Sequence, residues 1–213
     1  MSSRRTFSHE SARLTGAMGL AALLAFTLFA PSLVMASSDH DYVGARKCKT
    51  CHKKEAIGNQ YGVWLESKHT KAYETLSSDQ AKKWATDAGV DDPQVDEKCV
   101  KCHATAYGVP DEQVSSKFDR NAGVQCEACH GAGKDYRKKK IMVDVDLAIS
   151  KGLIPQNEAV CLDCHNDESP AWDPERYTRP DGKKVGFDYD MAVKAIAHPV
   201  PEGYDPLAEG EAD

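Results

Sequence analysis

Cys48-Lys49-Thr50-Cys51-His52 is the first of four pentapeptides built to one pattern. Cys99-Val100-Lys101-Cys102-His103, Cys126-Glu127-Ala128-Cys129-His130 and Cys161-Leu162-Asp163-Cys164-His165 repeat it, and together they use all eight cysteines. Each pair of thiols three residues apart can reach the two vinyl groups on one edge of a porphyrin and form thioethers. The histidine next in line then comes under the iron as its proximal ligand. Rival uses of eight cysteines fit less well. Disulfides, expected in an exported chain, need no histidine after each second cysteine, and neither do paired zinc-binding motifs. A thioredoxin-like pair would occur once, near a βαβ pattern, and none is visible. Four c-type haems are therefore expected, with His52, His103, His130 and His165 as proximal ligands.

Outward from the motifs, the chain is 213 residues long, enough for one domain or two small ones. Acidic side chains number 33 against 27 basic ones, for a net charge of −6, which argues against nucleic acid as a partner. With 41% hydrophobic residues, the side-chain core is expected to be thin, with porphyrin filling the interior instead.

The N-terminus reads as an export leader over residues 1–36. Arg4, Arg5 and Arg13 make a positive start, and no charge occurs between Leu14 and Ala36. Val34-Met35-Ala36 suits a cut before Ser37; an uncleaved anchor is the rival reading. Ser3-Arg4-Arg5-Thr6-Phe7 resembles a twin-arginine signal, but haem attachment follows export of an unfolded chain, so an ordinary basic region is preferred. The leader carries three arginines and one glutamate, leaving residues 37–213 at −8 and with every cysteine. The periplasm is the expected destination, with the cell surface as an extension of it. Membrane contact is expected only through partners.

Four irons need up to four distal ligands, and the mature chain offers only three further histidines: His40, His69 and His198. Leu65, His69, Tyr73 and Leu76 recur at helical spacing within residues 61–76, which puts His69 on the apolar face of a helix. It reads as an iron ligand or, failing that, as a packed core residue. His198 follows a helix expected over residues 188–197 and precedes Pro199, a rigid exit suited to a ligand; a solvent-facing histidine is the alternative. His40, eight residues before Cys48, either caps a haem or sits in a solvated tail. At least one haem is then five-coordinate, unusually ligated or completed by a neighbouring molecule.

The motif separations of 51, 27 and 35 residues are too irregular for a repeat. Ser78 reads as an N-cap for a helix over 79–88, and Asp144 to Lys151 as a short helix stopped by Gly152. Arg137-Lys138-Lys139-Lys140 is the only basic run; it reads as a solvated face, a docking patch or a contact for haem propionates. No alternating strand pattern exceeds a few residues. The fold class expected is mainly α, an irregular set of small helices wrapped around four c-type haems in one domain over 37–213.

These residues resemble a family, the tetrahaem cytochromes of the cytochrome c-554 type. The resemblance is carried by Tyr42 to Lys47 before the first motif, Trp64 to Leu76 around His69, His130-Gly131-Ala132-Gly133, and Ala192 to His198. It implies closely stacked haem pairs in an electron-transfer protein, with His69 the distal ligand of the third haem and His198 of the fourth. It also implies a five-coordinate second haem, on His103. The family's founding member supplies a histidine shortly after the third motif to the first haem. Here Lys134 to Lys140 contains none, which makes His40 the replacement candidate.

The leading expectation is an electron carrier, not an enzyme, serving redox partner proteins. An alternative is a small-molecule redox enzyme acting on a nitrogen oxide or hydroxylamine at an open iron. Another is a conductive assembly in which one chain's histidine completes the next chain's haem. Oligomeric state is left open.

Overall fold

The computed structural model describes residues 41–205, which fall within one compact unit. The leader and His40 lie outside the described residues. Ten short helices dominate: α1 (Ala45–His52), α2 (Gln60–Glu66), α3 (Ala72–Thr75), α4 (Asp79–Asp87), α5 (Glu97–His103), α6 (Cys126–His130), α7 (Lys139–Met142), α8 (Val145–Ser150), α9 (Glu158–Leu162) and α10 (Tyr189–Ile196). One hairpin of two-residue strands, β1 (Tyr177–Thr178) and β2 (Lys184–Val185), pairs Tyr177 with Val185. The fold is mainly α, as expected. Among the described residues, no helix is long and apolar enough to cross a membrane.

Local capping explains where most helices start. Ser78, Asp144 and Asp188 accept the backbone N–H of Ala81, Leu147 and Met191, satisfying donors that a helix N-terminus leaves unpaired. The expected helices over 79–88, 144–151 and 188–197 are thus present to within two residues at each end.

The helix expected within residues 61–76 is broken. α2 stops at Glu66, where Ser67 turns to an extended conformation, and α3 begins only at Ala72. Ser67 Oγ donates to the Trp64 carbonyl at 2.7 Å, and Thr70 Oγ1 donates to the Ser67 carbonyl at 2.7 Å. Side-chain hydroxyls that bond nearby carbonyls compete with the helical ladder in this way. The His69 carbonyl accepts the N–H of Val124 at 2.9 Å, so the turn is tied to the chain entering α6. His69 therefore sits in a turn between two short helices, not on a continuous helical face.

The side-chain core is thin. Leu76, Val100 and Ala104 form a buried cluster, with Tyr73 and Cys99 packed against it. The largest side chain under 2% exposed is a carboxylate, Glu127.

Candidate functional site

Three of the four motifs lie on helices α1, α5 and α6, and the fourth begins on α9. Helical periodicity puts the two cysteines at i and i+3, and the histidine at i+4, on one side of each turn. Beyond α9 the N–H groups of Cys164 and His165 donate to the Cys161 carbonyl at 3.2 and 2.9 Å, which continues the same arrangement as a turn. All eight thiols are free.

The thiols also show how the motifs neighbour one another. Cys48 and Cys126 share a hydrogen bond, and so do Cys102 and Cys164. Burial pushes the Cys129 thiol up to about 11, and the charge of neighbouring Cys161 adds to the rise. The motifs therefore run in space in the order first, third, fourth, second. α1 packs on α6 accordingly.

Two pairs of imidazoles face each other. The rings of His69 and His165 lie 6.2 Å apart, centre to centre, and those of His130 and His198 lie 6.1 Å apart. With metal–nitrogen bonds of about 2.0 Å, two imidazoles binding one iron from opposite sides place their ring centres roughly 6 Å apart. The spacing fits a haem iron at each pair. The partners are exchanged relative to the pairing the resemblance implies: His69 faces the fourth motif, not the third, and His198 faces the third, not the fourth. The His69 turn itself is held from a distance, by the Val124 N–H of the chain entering α6, after Ser67 has ended α2.

Burial holds the imidazoles of His69, His130 and His165 below the ordinary histidine range; for His130 and His165 the charge of the facing ring adds to the effect. Neutral rings keep a nitrogen lone pair for a metal. Carbonyl oxygens orient several of them. His103 Nδ1 is 2.7 Å from the Ala72 carbonyl, His198 Nδ1 is 2.8 Å from that of Ile196, and His52 Nδ1 is 3.2 Å from Gln60 Oε1. Since an oxygen can only accept here, Nδ1 carries the proton and Nε2 is left as the ligand nitrogen. The donor set fits haem at every motif. Among the described residues, all other imidazoles are paired, so none is left to face His52 or His103.

Some contributors were not legible in the sequence. Glu127, an interior residue of the third motif, accepts the N–H groups of Val43 at 2.9 Å, Gly44 at 2.6 Å and Gly133 at 2.6 Å. Gln125 Oε1 accepts the N–H of Ala45 at 3.0 Å. The start of α1 is thus capped by side chains about 80 positions away in the chain. Burial pushes the Glu127 carboxyl up, while the three N–H groups and Arg137 pull it back down. Phe187 stacks on His165 at 5.1 Å and 22°, with Tyr177 edge-on behind it. An aromatic followed by Asp188 carries no recognisable ligand-packing signal. The acidic motif residue was in plain view, but nothing local distinguishes it from a solvent-facing one.

The family model described as cytochrome c554 and c-prime matches residues 47–131. Cytochrome c-554 of Nitrosomonas europaea is 31% identical over 202 residues, covering 84% of this chain and 83% of that protein. The solved structure of reduced cytochrome c554 from the same organism aligns with a TM-score of 0.46 and 26% identity, over 74% of this chain and 79% of that one. The chain belongs to the cytochrome c554 family, c-type cytochromes that carry electrons on haem.

Proposed function

We propose that the chain is an exported, periplasmic electron carrier holding four c-type haems and passing single electrons between redox proteins. Cys48 and Cys51, Cys99 and Cys102, Cys126 and Cys129, and Cys161 and Cys164 would form the thioethers. His52, His103, His130 and His165 would be the proximal ligands. His198 would complete the third iron and His69 the fourth. His40, outside the described residues, is the remaining candidate for the iron on His52.

The observation that carries this reading is the pair of imidazole separations, 6.2 and 6.1 Å, each joining a motif histidine to one of the spare ones. When bound, each haem supplies a one-electron ferric–ferrous couple. The protein orients each ligand nitrogen through carbonyls and Gln60. It half-buries His69 and His130, and it keeps the attachment sites in contiguous order. Paired imidazoles favour low potentials relative to methionine–histidine ligation.

The test begins by counting haems in the exported protein, where four per chain are expected. His69→Ala should keep all four but gain one high-spin ferric signal and one additional carbon monoxide site. In a Cys161→Ala/Cys164→Ala background, which lacks the fourth haem, the same substitution should add neither. A new high-spin signal in that background would break the assignment of His69 to the fourth motif.

A second reading is favoured by the lack of facing imidazoles at His52 and His103 among the described residues. An iron with an open position could reduce or oxidise a small nitrogen or oxygen species. Steady turnover of nitrite, nitric oxide, hydroxylamine or peroxide at a respiratory rate would support it; four low-spin signals in the ferric wild type would remove it.

A further inference from the structure

We propose that the basic face around the first motif docks an acidic redox protein; the proposal rests on the electron-carrier reading above. The whole chain is at −6, yet residues 41–55 and 134–140 together carry ten basic against three acidic side chains. The fold brings these two stretches together. The Lys134 N–H donates to the Asp41 carbonyl at 3.2 Å, and the Lys134 ammonium pairs with the Asp41 carboxylate. Gly133 shares the Glu127 carboxylate with Val43 and Gly44.

Half of this charge is left without an ion pair. Arg46, Lys47, Lys53, Lys138 and Lys140 are exposed and make none among the described residues. Elsewhere several surface lysines are paired with carboxylates, as in Lys83–Asp87, Lys101–Glu168 and Lys184–Glu175. A concentration of like charge repels itself in the folded state, and its return is attraction of an oppositely charged partner. The position is informative too. The first motif is one end of the spatial series, and Cys51 is the one attachment cysteine that is exposed. A partner seated here would bring its centre against the most accessible attachment edge. At the other end, the second motif follows exposed Asp91, Asp92 and Glu97, which would repel the same partner and so orient it.

The probe is a reduced plant-type ferredoxin, a soluble acidic protein. One electron leaves its iron–sulfur centre, which is oxidised, and one ferric haem iron of the cytochrome is reduced. Rates are followed by stopped flow with the holoprotein, in Lys47→Glu/Lys138→Glu and in the control Lys82→Glu/Lys183→Glu, which changes net charge equally. At low ionic strength the first variant should be slowed about tenfold or more, and the gap should close as salt screens the charges. The control should stay within about twofold of wild type, and haem potentials should be unchanged in both.

Equal slowing in both variants would overturn the proposal, since net charge alone would then explain the rate. So would shifted haem potentials in Lys47→Glu/Lys138→Glu, which would assign these side chains to haem propionates. Retention of wild type on phosphatidylglycerol vesicles in physiological salt, lost in the same variant, would replace the protein partner by a membrane surface. Unchanged ferredoxin rates with normal dithionite reduction overturn the docking surface alone. Haems that dithionite does not reduce rapidly would overturn the carrier reading beneath it.

Discussion

The third and fourth motifs differ from the first and second in how their histidines are housed. His130 and His165 each face a second imidazole across about the width of one metal ion, and both are held neutral by burial. His52 and His103 are oriented just as firmly, through Gln60 and the Ala72 carbonyl, yet no described imidazole faces them. The same pentapeptide therefore yields two kinds of site. The local motif supplies two thiols and an imidazole, whereas what faces them depends on which distant segment packs there. A centre with two imidazoles is suited to electron exchange, and an end with one is suited either to exchange at the surface or to binding a further ligand.

The largest effect is expected at the joint between the two regions. Glu127→Ala would strand the N–H groups of Val43, Gly44 and Gly133 in a buried site, and unsatisfied donors cost about 1–3 kcal/mol each. A loss of at least about 3 kcal/mol in denaturant unfolding is expected, with the first motif detached from the third. A loss near zero would mean that α1 does not rely on this cap.

Gly123→Ala should break the comparison selectively. Gly123 has φ +73°, and an added Cβ would meet the His69 carbonyl at 2.5 Å. The substitution should cost about 2–3 kcal/mol and disturb the fourth site through His69, leaving the third site unchanged in ferric spin state. Equal disturbance of both would show that the two imidazole pairs are coupled.

Acid should loosen the α10 end. Asp188 accepts the Met191 N–H and pairs with Arg179 at 2.6 Å, and these hold its carboxyl below the usual aspartate value. A lowered folded value means that its stabilising contribution is present above the unfolded value near 4 and is lost as pH falls through the folded one. Hydrogen exchange of the helix that presents His198 should therefore accelerate below about pH 4 in wild type. Asp188→Asn, which keeps a capping oxygen without a titrating charge, should flatten that dependence.

The smallest effect tests the second motif's surroundings. Ala106 is held at φ +61°, a left-handed conformation that costs an L-residue about 1 kcal/mol. Ala106→Gly should raise stability by about 0.5–1 kcal/mol without altering haem content, read as a higher thermal midpoint.

Much was legible because it is local. A cysteine pair three residues apart with a histidine beside it needs only one helical turn to form its site. Caps such as Ser78, Asp144 and Asp188 act within three residues. The expectation for residues 61–76 failed because periodicity reports which residues could share a face, not whether the backbone stays helical. Ser67 and Thr70 offered the carbonyls another partner, and Val124 took that of His69.

The amino-acid sequence by itself determined the number and place of the four Cys-x-x-Cys-His motifs and that only three further histidines follow residue 36. Only the tertiary structure decided that His69 faces His165 and His198 faces His130, that Glu127 caps α1, and that two basic stretches merge into one face. The physical reason is range. Covalent attachment and capping are settled within a few residues, whereas ring pairing and charge clustering depend on which distant turns exchange backbone hydrogen bonds.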